Sequence, residues 1–219
     1  MSRAIQSMSS GTVFIVDDDA AFLRALSRFL RAGGYEVESF ESGEALLARL
    51  SPDLTGCVVA DLRMPGLGGL DLQAALAKSA NPLPVVFLTG EGDIPTTVQA
   101  MRHGAEDFLT KTAPREQLLE AIRRALKRDE QLRKQRERSA LVRRHFATLT
   151  RRELDVLKYV VRGRLNKQIA AELGINERTV KLHRTNLTRR LGVHSVAELT
   201  RLAAEAGLFP EEPGSHLNL

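Results

Sequence analysis

The sequence has a single cysteine, no tryptophan and only 5% aromatic residues. One thiol, Cys57, cannot build a disulfide framework or a thiolate metal site, which fits a reducing compartment. No apolar stretch approaches the ~18 residues of a membrane span, and the start of the chain lacks the apolar segment of a secretion signal. We therefore expect a cytoplasmic protein.

Charge is spread unevenly along the 219 residues, whose formal net charge is +5. Residues 1–126 carry 12 basic and 16 acidic side chains, residues 127–144 carry 8 and 3, and residues 145–219 carry 12 and 8. An acidic first half, a basic connector at 127–144 and a basic C-terminal part at 145–219 predict two domains, of which the second meets an anionic partner. Nucleic acid fits better than a membrane, so no membrane partner is expected.

Short apolar runs alternate with helical stretches in the first half, which is the pattern of a parallel sheet covered by helices on both faces. Five strands are predicted, at Val13–Val16, Glu36–Phe40, Cys57–Ala60, Val85–Leu88 and Asp107–Leu109. Helices are predicted near Ala20–Ala32, Ser42–Leu50, Gly69–Lys78, Ile94–His103 and from Pro114 onward. The predicted fold is a five-stranded, doubly wound α/β domain.

Polar side chains follow the strands at the points where the strands end. These side chains are Asp17, Asp18 and Asp19, then Asp61, Thr89 and Lys111. In an open parallel sheet such strand ends converge at one crevice. A single aspartate is enough to cap a helix, whereas a cluster of carboxylates repels itself unless a cation is present. Oxygen ligands without thiolate or paired histidine favour Mg²⁺.

Thr89 and Lys111 add a hydroxyl and an ammonium group, which suit the oxygens of a phosphoryl group in transfer. Each would be an ordinary surface residue by itself, but beside the acids they predict a site that adds phosphate to a carboxylate or removes it. The motifs Asp17-Asp18, Asp61-Leu62-Arg63-Met64-Pro65-Gly66, Thr89-Gly90 and Phe108-x-x-Lys111 resemble those of a bacterial response-regulator receiver domain, a CheY-like fold. The resemblance covers residues 12–126.

The resemblance implies roles for these residues. Asp61 would accept a phosphoryl group from a phosphohistidine of a sensor histidine kinase. Mg²⁺ would be bound by the carboxylates of Asp18 and Asp61, by the backbone carbonyl of Arg63, and by Asp17 through water. Thr89 would hydrogen-bond the phosphoryl group, Lys111 would pair with it, and the Phe108 rotamer would follow Thr89 as a switch.

One position departs from the family pattern, because the usual Lys-Pro dipeptide is Lys111-Thr112 here. A cis bond before threonine costs roughly 2.5–4 kcal/mol, so the sequence predicts either a trans peptide or a strained one. The departure leaves open a receiver that acts only as a dimerisation module, independently of phosphorylation.

A haloacid-dehalogenase-type phosphatase is the alternative from another class. Asp17-x-Asp19 after an apolar strand, Thr89 and Lys111 also fit that pattern, with Asp17 as the nucleophile. Such an enzyme needs a further acidic pair after the lysine at a strand end. Only Asp129, Glu130 and Asp155 follow, on predicted helices, and Asp61 would have no role.

The linker between the two predicted domains, residues 127–147, contains the basic connector and is predicted to be mostly helical. It is rich in helix formers, and Asp129–Arg133 and Glu130–Lys134 are acid-first i,i+4 pairs that favour a continued helix. A solvated charge run with a flexible break is the alternative.

The remaining part, residues 148–208, reads as four short helices before a tail at 209–219. Capping boxes are predicted at Thr150-x-x-Glu153 and Ser195-x-x-Glu198, with helix ends at Gly174, Gly192 and Gly207. Ala170, Gly174 and Val180 have the spacing of a helix-turn-helix. The pattern resembles the LuxR-type DNA-binding domain, and beside a receiver it resembles the FixJ/NarL class.

The helical period indicates which side chains of the second helix read DNA. With Val180 at the centre of the buried face, Arg184 stays close to that face and is not expected to read bases. Base contacts are predicted for Lys181, Leu182 and Thr185, and phosphate contacts for Arg178, Arg189 and Lys167. The two resemblances together imply a transcriptional regulator, not a conventional enzyme, that forms a homodimer on phosphorylation and binds double-stranded DNA.

Overall fold

The computed structural model describes residues 11–90 and 94–208. Contacts between residues divide the chain into a first unit that ends at Arg133 and a second unit that begins at Lys134. The predicted tail at 209–219 lies outside the described residues. Of the helices in the described part, none combines the length and the apolar character that a membrane crossing requires.

The first unit contains a five-stranded sheet in which every pairing is parallel. The strands are β1 (Thr12–Val16), β2 (Glu36–Phe40), β3 (Gly56–Ala60), β4 (Val85–Thr89) and β5 (Asp107–Thr110), in the order β2-β1-β3-β4-β5. The predicted strands and parallel sheet are confirmed. The order changes direction at β1, so the crevice between β1 and β3 opens at their carboxyl ends.

Helices cover both faces of this sheet. They are α1 (Ala20–Ala32), α2 (Gly43–Arg49), α3 (Gly69–Lys78), α4 (Ile94–Arg102) and α5 (Arg115–Phe146). Alternate residues of β1 point to opposite faces, with Val13 and Ile15 in the core under α1 and α5, and Phe14 and Val16 in the core under α2 and α3. This alternation is the reason that the strand is apolar throughout.

The helix α4 is the most lightly packed of these helices. Only Ala100 is buried in it, while Ile94, Val98 and Met101 are exposed. A buried amide on α3 provides a polar contact, because the Gln73 side chain donates to the Ala100 carbonyl at 3.1 Å. The helix α4 is therefore attached through a single buried side chain, with the Gln73 hydrogen bond among its polar contacts.

The helix α5 is continuous over 32 residues, as the helix-forming composition of the connector predicts. The boundary between the two units falls inside it, within the predicted 127–147 linker, so the domain limits stay predictions. The charge pattern did not predict that Asp129 is buried. Its carboxylate accepts a hydrogen bond from the Gly56 backbone N–H at 3.0 Å, at the amino end of β3.

The second unit adds four short helices to the end of α5. These are α6 (Arg151–Val160), α7 (Asn166–Leu173), α8 (Glu177–Leu191) and α9 (Val196–Glu205). The capping box of Thr150 and Glu153 is confirmed. At the second predicted box, Ser195 accepts from the Glu198 N–H, but Glu198 accepts from the His194 N–H instead of that of Ser195.

Candidate phosphoryl-transfer site and nucleic-acid interface

The predicted carboxylates meet at the carboxyl ends of β1 and β3. Asp17 directly follows β1 and Asp61 directly follows β3, and both are buried, whereas Asp18 is exposed. One carboxylate oxygen from each of the three lies within 4.8 Å of the others. Asp19 takes the helix-capping role, since it accepts from the N–H groups of Ala21 and Phe22 at the start of α1.

Lys111 contributes a cation to this cluster from the loop after β5. Its Nζ lies 2.6 Å from Asp17 Oδ2 and 2.7 Å from Asp61 Oδ2. The ammonium group also lies 4.5 Å from the centre of the Phe22 ring, which allows a cation–π contact. The Lys111 N–H donates to the Thr89 carbonyl at 2.7 Å, and this bond holds the base of the lysine beside the end of β4.

Burial and charge act in opposite directions on the ionisation of the site. Burial raises the pKa of the Asp17 carboxyl, and the hydrogen bond from Lys111 only partly offsets this. Burial alone would lower the pKa of Lys111, but hydrogen bonds to Asp17 and Asp61 raise it. Three carboxylates and one ammonium group leave a formal charge of −2. The atoms available to bind a metal ion are all carboxylate oxygens. This donor set fits a hard divalent cation such as Mg²⁺.

The predicted switch residues lie on β4 and β5, and the Lys111 N–H donates to the carbonyl of one of them, Thr89. Thr89 is buried at the end of β4. Phe108 on β5 is half-buried, with its ring 6.0 Å from that of Phe87. Arg63 is exposed two residues after Asp61, and its N–H donates to Asp61 Oδ1 at 3.3 Å. The structure thus brings the three aspartates and Lys111 together, with Arg63 and Thr89 joined to them through backbone groups, while their chemical roles stay predictions.

Sequence reasoning missed one residue that shapes the site, Gly69 at the start of α3. A Cβ atom there would lie 2.5 Å from the Asp61 carbonyl oxygen and 2.9 Å from Leu62 Cα. Only glycine permits this close approach of α3 to the loop that carries Asp61. The adjacent pair Gly68-Gly69 was the available signal in the sequence.

The geometry bears on two questions that the sequence left open, the conformation of the Lys111-Thr112 peptide and the haloacid-dehalogenase-type phosphatase. The described residues contain no cis peptide, so the Lys111-Thr112 bond is trans. The phosphatase reading needs another acid at the catalytic end of the sheet. Asp129 lies at the opposite end, beside Gly56, so it cannot serve that role.

The second unit contains the predicted helix-turn-helix in α7 and α8. Gly174 has a φ of 62°, which is the left-handed conformation that the turn requires, and Val180 is fully buried. The Arg184 guanidinium donates to the Asn166 side chain at 2.9 Å, in agreement with its predicted position near the buried face. This contact joins α8 to the first residue of α7.

The predicted DNA-contacting side chains are all exposed. They are Lys167 on α7 and Arg178, Lys181, Leu182, Thr185 and Arg189 on α8. Leu182 is 59% exposed although it is apolar, which fits contact with thymine methyl groups. The Thr185 hydroxyl donates to the Lys181 carbonyl at 3.0 Å, so Thr185 is available to DNA through its methyl group and as an acceptor.

Comparisons with known proteins decide the family. The family described as "Response regulator receiver domain" matches residues 13–123, and the luxR family of bacterial regulatory proteins matches residues 147–203. The chain belongs to the response regulators. Its receiver domain is followed by a LuxR-type DNA-binding domain, which identifies this response regulator as a regulator of transcription.

Relatives cover almost the whole response regulator. It is 41% identical over 203 residues to Nodulation protein W of Bradyrhizobium diazoefficiens, over 93% of this chain and 89% of that protein. It is 36% identical to the transcriptional regulatory protein FixJ of the same species, over 92% and 98% of the two chains. The structure of the response regulator StyR matches with a TM-score of 0.68 and 44% identity, over 89% and 98%.

Proposed function

We propose that this response regulator is phosphorylated on Asp61 by a sensor histidine kinase and that phosphorylation controls its dimerisation and its binding to specific DNA sequences. The observation that carries the proposal is the double contact of Lys111 with Asp17 and Asp61, at 2.6 and 2.7 Å. A half-buried ammonium group held against a carboxylate cluster can pair with phosphoryl oxygens as charge develops on them.

The proposed step is a displacement at phosphorus. An Asp61 carboxylate oxygen forms the new P–O bond, the P–N bond to the kinase histidine breaks, and its electron pair returns to the imidazole. Lys111 then pairs with the phosphoryl oxygens, and the Thr89 hydroxyl donates a hydrogen bond to them. Bound Mg²⁺ would neutralise phosphoryl charge, held by Asp18, Asp61 and the Arg63 carbonyl directly and by Asp17 through water.

The proposed switch passes from Thr89 to the neighbouring surface. A shift of Thr89 toward the phosphoryl group vacates space beside β4, and the half-buried Phe108 ring can turn into it. The helix α4 contacts β5, which carries this ring, and its exposed apolar residues are Ile94, Val98 and Met101. A change there favours a homodimer, and a two-fold dimer favours paired DNA half-sites. A cytoplasmic location is proposed along with this role.

Substitution of the acceptor tests the phosphorylation step. Asp61→Asn should abolish incorporation from acetyl phosphate with Mg²⁺, measured by phosphate-affinity electrophoresis of the full-length protein. Asp53→Asn is the matched control, because Asp53 is an exposed aspartate outside the site. Full labelling of the Asp61 variant would contradict the assignment.

A DNA-binding measurement separates this proposal from a phosphorylation-independent receiver. We expect acetyl phosphate with Mg²⁺ to raise the affinity of the wild-type protein for its operator and to leave the Asp61→Asn variant unchanged. An equal affinity of the wild-type protein with and without the phosphodonor would favour the receiver as a constitutive dimerisation module.

A further inference from the structure

A cleft of about 610 Å³ in the second unit lies between the start of α7 and one flank of α8. Lys167, Lys181 and Arg184 contribute its positive charges, and Thr185 lines it as well. Three of these four residues are among the predicted DNA contacts. The cleft also contains a carboxylate, that of Glu177 at the first position of α8.

Glu177 is an anion on a surface that should meet a polyanion. Its side chain is exposed, and no ion pair joins it to any other residue of 11–90 or 94–208. An unpaired carboxylate next to phosphate groups weakens binding to every DNA sequence, unless it accepts a hydrogen bond at the correct one.

The chemistry of the major groove limits what a carboxylate can accept. An ionised glutamate is an acceptor only, and guanine N7 and O6 and thymine O4 are acceptors that repel it. Donors in the groove are the amino groups of cytosine and adenine, and glutamate pairs best with cytosine N4. The first residues of a recognition helix are those that contact base edges.

We propose that Glu177 is a specificity-determining residue that accepts a hydrogen bond from the N4 amino group of one cytosine in each half-site. The proposal rests on the DNA-binding role proposed above. Lys181 lies one helical turn further along, about 6 Å at ~1.5 Å per residue. Base pairs are spaced ~3.4 Å apart, so the cytosine should lie about two base pairs from the position that Lys181 reads.

Selection of binding sites from a random duplex library tests this assignment. The full-length protein would be used with acetyl phosphate and Mg²⁺, as wild type, Glu177→Gln and Glu172→Gln. Glu172 is an exposed acid on α7 outside the cleft, so its variant makes the same change of charge elsewhere.

We expect Glu177→Gln to lose the cytosine preference at one position per half-site by at least about fivefold and to gain adenine there, because glutamine pairs with adenine N6 and N7. The Glu172 variant should select the wild-type sequence. An unchanged cytosine preference in the Glu177 variant would overturn the inference.

A purely structural role at the start of α8 gives a different result. In that case Glu177→Gln would lower the melting temperature and weaken binding to all sequences equally, with the selected sequence unchanged, and the inference would be wrong. Failure of the wild-type protein to select any sequence would instead contradict the proposed DNA-reading function itself.

Discussion

Replacement of Lys111 by methionine should make the stability of the receiver depend on Mg²⁺. The lysine is the cation that pairs with both buried carboxylates, Asp17 and Asp61. Methionine keeps the aliphatic length but leaves the carboxylates facing each other with nothing to neutralise them. The wild-type protein already has a cation in the cluster, so its stability should respond less to the metal.

The magnitude follows from the geometry of the cluster. Two unit charges within 4.8 Å repel by at least about 3.5 kcal/mol at an effective dielectric constant of about 20. Asp18 adds little because it is exposed and screened by solvent. A cation that binds the folded state at a hundred times its dissociation constant restores about 2.7 kcal/mol. Saturating Mg²⁺ should therefore recover most of the loss.

Urea unfolding of the full-length protein, followed by circular dichroism with EDTA or with Mg²⁺, measures this effect. The transition of the receiver should move to lower urea in the Lys111 variant with EDTA and return toward the wild-type midpoint with Mg²⁺. Lys78→Met is the matched control, because Lys78 is an exposed lysine at the end of α3. An equal loss with and without Mg²⁺ would refute the electrostatic explanation.

Three further predictions concern other contacts of the two units. Asp129→Ala removes the acceptor of the buried Gly56 N–H and should lower the free energy of unfolding by about 1–3 kcal/mol. Amide exchange at Gly56 should become faster, while the control variant Gln131→Ala should leave that exchange unchanged. Gly69→Ala forces a Cβ against the Asp61 backbone, so it should cost about 1–3 kcal/mol and slow phosphorylation from acetyl phosphate; unchanged rates would show that α3 can move away. Burial would raise the pKa of the Glu153 carboxyl, but hydrogen bonds from the Thr150 N–H and hydroxyl lower this pKa overall. The ionised carboxylate therefore stabilises the folded state above about pH 4.5, and this stabilisation is lost as the pH falls through the lowered pKa. Glu153→Gln should flatten the dependence of the melting temperature of the second unit on acidic pH, measured by thermal unfolding of the full-length protein. An unaltered pH profile would contradict this.

Much of the receiver could be predicted because its strands are unbroken apolar runs that end in polar residues. That pattern places Asp17 and Asp61 at one edge of a parallel sheet, and the structure brings them together. The same reasoning works for α8, where the helical period places Val180 inside and Leu182 outside.

Contacts between side chains and distant backbone groups could not be predicted. Asp129 looks like a solvated acid in a charged helix, and only the approach of α5 to the start of β3 buries it. Gly69 is predicted only as the first residue of a helix, and its close approach to the Asp61 carbonyl is seen only in the structure. A one-dimensional pattern carries periodicity, whereas these contacts depend on packing in three dimensions.

The light attachment of α4 has a consequence for how the molecule can respond. Local opening of a segment costs roughly the buried contacts that it loses, and the contacts of α4 include a single buried side chain, Ala100, and the Gln73 hydrogen bond. This helix can therefore shift while β4 and the sheet beneath it stay intact. With one buried side chain and three exposed apolar ones, α4 is the element of the receiver that we expect to follow a chemical event at the neighbouring strand end.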